Sequence, residues 1–301
     1  MNEAKLLNKT LEILSNDGIN FAYSYLLGEM SNLPETGSQL YNYLYCLAAL
    51  AEKPEEALGW LEEAIISKGF WYRPEVFEDS DLDMIHDDSR FHKCRDISNK
   101  RYLEELSRVK TICTWESVKA PNLILVLHGN QENIDLASRN WSFLDGSDYQ
   151  VEYIQSSELD SYGLFRWEDE GTGPAQLCNA LSKINIDGYK KLYLAGFSAG
   201  CNVILRALAS GLVNCNAVLL QSPWIPVVEK NESEIIGYLL ENDIGMLFIC
   251  GEADEDCIGF RNFFEKVQKS GIISKGIFIR NLSHEFPGNF KDIISKYLNI
   301  N

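Results

Sequence analysis

Long apolar runs are missing from this sequence, and none approaches the roughly 20 consecutive residues that a membrane-spanning helix requires. The opening residues, 1–7, lack the charged and then apolar layout of a secretory signal peptide. The 8 cysteines form no Cys-x-x-Cys pair, and several lie inside apolar segments. We therefore expect a cytoplasmic protein whose cysteines are small buried residues rather than disulfides or metal ligands.

Basic residues are scarce relative to acidic ones. Lys and Arg total 27 against 44 Asp and Glu, which gives a formal net charge of -17. Such a charge repels phosphate backbones and anionic lipid headgroups, so neither nucleic acid nor a membrane surface is an expected partner. Hydrophobic residues make up 46% and charged residues 24%, as in ordinary globular proteins. The length of 301 residues is enough for about two domains.

Patterns typical of metal and nucleotide sites are also absent from the sequence. The chain has only 4 histidines, of which His86 and His92 lie among charged residues without a cluster of other metal ligands. We expect these two to be solvent-facing or capping residues. The segment Glu170-Gly-Thr-Gly-Pro174 is too short for a phosphate-binding loop, and no Lys-Ser/Thr pair follows it. No metal and no cofactor is therefore expected.

Roughly the first hundred residues show helical periodicity and no convincing strand pattern. Apolar residues recur at helix-like spacing in four segments, separated by turn residues such as Asn16-Asp-Gly18 and Asn32-Leu-Pro34. Residues 38–68 resemble one tetratricopeptide helix pair, and residues 64–91 resemble the closing unit of such an array. Two interpretations stay open: the helices bind a protein or peptide partner, or they pack on the following domain.

Strand patterns alternate with helical patterns from about residue 109 onward. The run Leu123–Leu127 is almost continuously aliphatic, as in a parallel strand covered on both faces. Further strands are expected at residues 150–154, 192–195, 217–220, 246–250 and 276–279, with a last helix at 289–298. This alternation predicts an α/β fold, in which a small all-α domain (1–108) precedes a mostly parallel, doubly wound sheet (109–301). Ligands bind such sheets beyond the carboxyl ends of the strands.

One predicted strand leads directly into a helix through Gly196-Phe-Ser-Ala-Gly200. A serine on a sharp strand-to-helix turn needs neighbours without Cβ atoms, so that the backbone passes close and the hydroxyl stands clear of the sheet. This pattern is the Gly-x-Ser-x-Gly nucleophile elbow. We therefore predict that Ser198 is a nucleophile. The Ala199 amide, at the positive end of the next helix, is expected to stabilise an oxyanion.

A serine nucleophile needs a base, usually histidine, and an acceptor that fixes the tautomer of that base. His284 lies in the short loop between the last predicted strand and the last helix. Asp254 is the best candidate for the acceptor because it closely follows a predicted strand, and Glu252 and Asp256 are near alternatives. The chain order Ser198, Asp254, His284 is the Ser, Asp, His order of hydrolases.

The strand at 123–127 ends in His128-Gly-Asn-Gln131. Gly129 lets the backbone curl toward the elbow, so the amide of either Asn130 or Gln131 is expected to be the second oxyanion donor. For His128 we favour a structural role, in which it bonds to the loop backbone, over direct catalysis.

Residues from about 120 to 299 resemble an α/β-hydrolase, and within that superfamily they are similar to phospholipase/carboxylesterase-type esterases and acyl thioesterases. The segments that carry the likeness are Gly196-Phe-Ser-Ala-Gly200, His128-Gly129, Gln221-Ser-Pro-Trp-Ile-Pro226, Gly251-Glu-Ala-Asp254 and His284-Glu-Phe-Pro287. The resemblance implies serine-dependent ester hydrolysis through an acyl-enzyme intermediate, without a cofactor. Two departures bear on the substrate subfamily. Ala199-Gly-Cys-Asn202 replaces the glutamine and paired glycines that often follow that serine, and Glu255-Asp-Cys-Ile258 replaces the usual valine-proline after the acid.

The segment from Pro223 to Asp243 leaves room for only a small lid. Within it, Trp224 is a candidate wall of an acyl or aromatic pocket, and Trp167 is a second, weaker candidate. We therefore expect a hydrolase that cleaves a small-molecule carboxylic ester, or a thioester. Two alternatives stay open: a serine peptidase acting on short peptides, and a non-catalytic scaffold whose helical domain binds partners.

Overall fold

The structure, a computed structural model, describes residues 2–114 and 120–300. The chain divides into two compact units. The first comprises Met1–Val109 and Leu159–Leu164, and the second comprises Lys110–Glu158 and Phe165–Asn301. Within the described ranges, no helix is both long and apolar enough to cross a bilayer.

The N-terminal part of the first unit, residues 3–106, is helical, as its periodicity predicts. Its α-helices are α1 (Glu3–Asp17), α2 (Ile19–Met30), α3 (Ser38–Leu50), α4 (Pro54–Glu62) and α5 (Ser89–Leu106). A π-helical turn, Glu63–Ser67, continues α4, and two 3-10 helices, Pro74–Glu78 and Ser80–Leu82, precede α5. The apolar faces of these helices meet in one core that includes Leu6, Leu26, Leu44, Leu61 and Phe91. The all-helical prediction is confirmed, whereas the tetratricopeptide likeness stays a prediction.

The second unit is built on a sheet. The strands of the described residues are β1 (Ile112–Cys113), β2 (Asn122–Leu127), β3 (Tyr149–Gln155), β4 (Glu158–Ser161), β5 (Leu164–Arg166), β6 (Lys191–Phe197), β7 (Ala217–Gln221), β8 (Gly245–Gly251) and β9 (Ser274–Ile279). Residues 159–161 of β4 and Leu164 of β5 belong to the first unit. Seven strands of the described residues form the main sheet in the order β1-β3-β2-β6-β7-β8-β9, and β4 pairs with β5. β1 is antiparallel to β3, and the other neighbours in the main sheet are parallel. The mostly parallel, doubly wound sheet is therefore confirmed.

Helices cover both faces of the main sheet because successive strand residues point to opposite sides. The helices are α6 (Ile134–Trp141), α7 (Thr172–Ser182), α8 (Ala199–Ala209), α9 (Val228–Glu241), α10 (Cys257–Lys269) and α11 (Phe290–Leu298). Leu123, Leu125 and Leu127 pack into the apolar layer that α7 to α10 share. Ile124 and Val126 pack into the opposite layer, with α6 and α11. Burial on both faces explains the near-continuous aliphatic run of β2.

Two features were not expected from the sequence: the antiparallel edge strand β1 and the short strands β4 and β5. β1 has two residues and β5 has three, so neither is long enough to show a period of two. All 8 cysteines are free thiols. Cys94, Cys201, Cys215, Cys250 and Cys257 are buried, and the other three are partly exposed.

Candidate active site

Ser198 occupies the turn between β6 and α8 with φ 51° and ψ −121°. A positive φ is rare for a residue with a side chain, so this backbone is strained and must be held by its surroundings. The Ser198 amide donates to the Gln221 carbonyl at 3.1 Å. The Ser198 carbonyl accepts from the amides of Cys201 at 3.0 Å and Trp224 at 3.2 Å. These three bonds fix the turn at the carboxyl end of the sheet.

The two glycines of the elbow are required by close backbone contacts, as the sequence predicts. A Cβ atom on Gly196 would lie 2.8 Å from the Cys201 nitrogen. A Cβ atom on Gly200 would lie 2.6 Å from the Leu127 carbonyl oxygen and 2.7 Å from that of His128. Because the atoms in the way belong to the backbone, they cannot move aside as a flexible side chain would. Gly200 therefore lets α8 begin against the end of β2.

Gly200→Ala is expected to destabilise the fold by about 1 to 3 kcal/mol, because the added methyl group pushes α8 away from the end of β2. The matched control is Gly237→Ala in α9, where an added Cβ meets nothing within 4 Å. That change should stabilise the protein by about 0.5 to 1 kcal/mol. Urea unfolding of the two variants measures both effects. Equal stabilities for Gly200→Ala and the wild type would contradict the close contact.

His284 and Asp254 are directly hydrogen-bonded. The His284 Nδ1 atom lies 2.9 Å from Asp254 Oδ2. Asp254 lies in the loop after β8 and its side chain is 2% exposed, whereas the His284 side chain, after β9, is 39% exposed. Asp254 Oδ1 also accepts from the Asp256 amide at 3.2 Å. Because a carboxylate accepts this bond, Nδ1 carries the proton and Nε2 keeps a lone pair that can accept another proton.

The two alternative acids have other contacts. Glu252 forms an ion pair with Arg261 at 2.9 Å. Asp256 contributes its backbone amide to Asp254, and burial raises the pKa of the Asp256 carboxyl. Asp254 is therefore the carboxylate that orients His284, and the catalytic use of that contact stays a prediction.

Phe197, the residue before Ser198, contacts the ring of His284. The Phe197 ring lies 5.3 Å from the His284 ring and is stacked on Phe286 at 4.7 Å, centroid to centroid. Among residues 2–114 and 120–300, no hydrogen bond joins the Ser198 hydroxyl to the His284 imidazole. Bonds of this kind often form only when substrate is bound.

The loop after β2 contains both candidates for the second oxyanion donor, Asn130 and Gln131, and their amides differ in their contacts. The Gln131 amide donates to the Phe165 carbonyl at 2.8 Å, as part of a bridge between Glu132 and Phe165. Assigning Gln131 as an oxyanion donor is therefore corrected, because its amide already donates a hydrogen bond to the Phe165 carbonyl. Neither the Asn130 amide nor the Ala199 amide has an acceptor among the described residues. Asn130 and Ala199 therefore stay the predicted oxyanion donors.

His128 forms hydrogen bonds to the backbone of Gly129 in the same loop and of Ser156. Its Nδ1 lies 2.5 Å from the Gly129 carbonyl oxygen, and its Nε2 accepts from the Ser156 amide at 3.1 Å. Burial lowers the pKa of the His128 imidazole to about 4, although the hydrogen bond to Gly129 acts to raise it. The ring is therefore neutral at pH 7, with its proton on Nδ1. This agrees with the structural role expected from the sequence.

The two candidate pocket tryptophans lie in different environments. Trp167 is 3% exposed, and its indole N–H donates to the His128 carbonyl at 2.8 Å. Its backbone amide donates to the Asn130 side chain at 2.8 Å. Trp167 is therefore a buried residue that supports the loop carrying Asn130, and its assignment to the pocket wall stays a prediction. Trp224 is 38% exposed, and its amide is bonded to the Ser198 carbonyl.

Glu132 supports the site, although no sequence pattern singles it out. Its Oε2 atom accepts from the Gly129 amide at 2.7 Å, so it supports the loop that carries Asn130. Burial raises the pKa of the Glu132 carboxyl to about 7, although the Gly129 amide and the charge of His284 act to lower it. The carboxyl therefore keeps its proton to a higher pH than an exposed glutamate does.

Glu132→Gln is expected to change how stability depends on pH. The native protein holds the Glu132 proton up to about pH 7, whereas the unfolded chain releases it near its ordinary value of 4.5. The free energy of unfolding of the wild type should therefore fall, relative to the variant, as pH rises from 4.5 to about 7. We expect the free-energy difference between the two proteins to change by about 1 to 3 kcal/mol over this range. The value allows for the partial exposure of Glu132, since solvent weakens the effect of its pKa shift. Urea unfolding at pH 5 and pH 8 measures it. A constant difference between the two proteins would contradict the buried titration.

No group of three or more His, Cys, Asp or Glu side chains among the described residues is arranged to hold a metal ion.

Comparison with known proteins agrees with this architecture. Residues 2–106 match the family model described as "A/B hydrolase-like, N-terminal domain". An uncharacterized protein from Bacillus cereus ATCC 10987 is similar over 99% of both chains, with 27% identity and a TM-score of 0.56. Esterase PE8 is 18% identical, with a TM-score of 0.50 over 64% of this chain and 97% of its own. A phospholipase/carboxylesterase from Dyadobacter fermentans DSM 18053 is 10% identical, with a TM-score of 0.50 over 64% of this chain and 96% of its own. Among curated proteins, none matches. Together with the strand order, these similarities show that the chain has the α/β-hydrolase fold.

Proposed function

We propose that this protein is a serine hydrolase that cleaves a carboxylic ester, or a thioester, through an acyl-enzyme intermediate. The observation that carries the proposal is the hydrogen bond of 2.9 Å between His284 Nδ1 and Asp254 Oδ2. This pair lies at the same edge of the sheet as the strained Ser198 turn. A buried acid, an oriented imidazole and a serine on an elbow are the three groups that activate an alcohol oxygen.

In the first half-reaction, Ser198 Oγ attacks the carbonyl carbon of the ester while His284 Nε2 takes the hydroxyl proton. The Asp254 carboxylate stabilises the imidazolium that forms. The amides of Ala199 and Asn130 donate to the oxyanion of the tetrahedral intermediate. His284 then gives the proton to the leaving alcohol or thiol, and the carbonyl carbon stays bonded to Ser198.

In the second half-reaction, water attacks the acyl-enzyme and His284 accepts a proton from that water. Collapse of the second tetrahedral intermediate releases the acid and returns the proton to Ser198 Oγ. Every step uses only proton transfer and acyl transfer between the substrate, water and these side chains. The proposal therefore includes no cofactor.

The substrate is proposed to be a small-molecule ester. Trp224 is the proposed wall of the acyl or aromatic pocket, because its partly exposed indole belongs to the residue whose amide contacts Ser198. The net charge of -17 disfavours anionic surfaces as partners. We further propose a cytoplasmic protein, whose helical N-terminal unit is a candidate surface for a protein or peptide partner.

A substrate panel tests the reaction class. Purified protein is assayed with p-nitrophenyl esters from acetate to decanoate, with a thioester, and with short aminoacyl p-nitroanilides. We expect turnover of the esters and no turnover of the anilides. Turnover of the anilides alone would favour the peptidase alternative. A folded protein that turns over none of them would favour the scaffold alternative.

A further inference from the structure

Gln221, the last residue of β7, has an unusual environment for a strand residue. Its side chain is polar, but the residue is only 1% exposed. β7 lies between β6, which leads to Ser198, and β8, which leads to Asp254. The Gln221 backbone carbonyl accepts from the Ser198 amide at 3.1 Å. Gln221 is thus one of the residues that hold the strained turn.

The side chain of Gln221 reaches the loop that carries the histidine. Its Nε2 atom donates to the Glu285 carbonyl at 3.0 Å and to the Ser222 hydroxyl at 2.9 Å. Glu285 directly follows His284, and its amide donates to the Ser283 carbonyl at 2.9 Å. One residue therefore bonds to the backbone of the serine and to the backbone beside the histidine.

One atom of the Gln221 carboxamide lacks a hydrogen-bond partner within the described part of the chain. Gln221 Oε1 is buried and has no hydrogen-bond partner among the described residues. An unpaired buried acceptor destabilises the native state, and an apolar side chain of similar size would avoid this. The neighbouring strand residues Leu219 and Leu220 are apolar and buried. Stability alone therefore does not account for an amide at this position.

We propose that Gln221 is a positioning residue that sets the distance between the Ser198 elbow and the His284 loop. The inference rests on the proposed serine hydrolase function. Ser198 and His284 follow β6 and β9, which have two other strands between them, so their separation depends on how the loops are held. Asp254, in the loop after β8, holds the His284 imidazole, and Gln221, at the end of β7, holds the backbone of the His284 loop after β9.

Gln221→Met tests the role, because methionine keeps the length of the side chain but cannot donate to Glu285. The rate of covalent labelling by a fluorophosphonate and kcat for a p-nitrophenyl ester should both fall by about 10- to 100-fold, because a misplaced base slows attack by the serine. KM should change by less than about twofold, because substrate contacts are unchanged. Hydrogen exchange of residues 281–287 should become faster, while Tm stays level or rises.

Two further variants keep the test decisive. Gln221→Leu repeats it with a second apolar side chain in case Gln221→Met does not fold. Gln150→Leu is the matched control, since it removes another buried glutamine at the amino-terminal end of β3, where Gln150 donates to Glu152. It should lower Tm and leave the labelling rate at the wild-type value.

The outcomes separate this role from the proposed function. If the wild type is labelled and Gln221→Met is labelled at the same rate with unchanged hydrogen exchange, the positioning role is overturned and the hydrolase proposal stands. If the folded wild type is neither labelled nor active on any ester, the proposed function is overturned and this role is overturned with it.

Discussion

Replacing Ser198 with alanine is expected to lower kcat/KM for ester substrates by roughly 10⁴- to 10⁶-fold. The methyl group cannot attack a carbonyl carbon, so only the oxyanion amides and substrate binding would remain to accelerate hydrolysis. The backbone bonds of Ser198 to Gln221, Cys201 and Trp224 do not involve the hydroxyl, and alanine can keep all three.

The fold of the Ser198→Ala variant should therefore be close to that of the wild type. Circular dichroism and Tm are the controls, and initial rates with p-nitrophenyl esters are the measurement. A folded variant that retains most of its activity would show that another group is the nucleophile.

Replacing Asp254 with asparagine is expected to lower kcat by about 10⁴-fold. The amide cannot act as the carboxylate acceptor for His284 Nδ1, so the imidazole would no longer be fixed with its Nε2 lone pair available. The negative charge that stabilises the imidazolium is also lost. Because Asp254 is 6% exposed as a residue, solvent cannot replace this interaction easily.

Asp256→Asn is the matched control for the acid. Asp256 contacts Asp254 through its backbone amide, which asparagine retains, so kcat should change by less than about threefold. Steady-state kinetics on the two variants measures the difference. A large loss in Asp256→Asn with little loss in Asp254→Asn would assign the acid to the other position.

The sequence predicts the sheet well because its parallel strands are buried on both faces. β2 is aliphatic at almost every position, and β7 and β8 show similar runs, so their positions follow from composition alone. The elbow can also be predicted from the sequence, because a side chain at Gly196 or Gly200 would collide with nearby backbone atoms and glycine is required there. His284 and Asp254 could be paired because each closely follows a predicted strand.

The supporting residues could not be predicted, because their roles depend on contacts between distant segments. The Gln131 amide donates to the Phe165 carbonyl, and the Trp167 indole N–H donates to the His128 carbonyl. Neither bond leaves a local pattern in the sequence. Glu132 is likewise unremarkable as a residue in a loop, and its raised pKa arises only when the fold buries its carboxyl beside Gly129.

The central claim is that Ser198 is a reactive nucleophile, and fluorophosphonate labelling followed by peptide mapping tests it most directly. The folded wild type should gain one phosphonyl group, located on the peptide that contains Ser198, and heat-denatured protein should gain none. A folded wild type that stays unlabelled, or that is labelled at a different residue, would contradict the account.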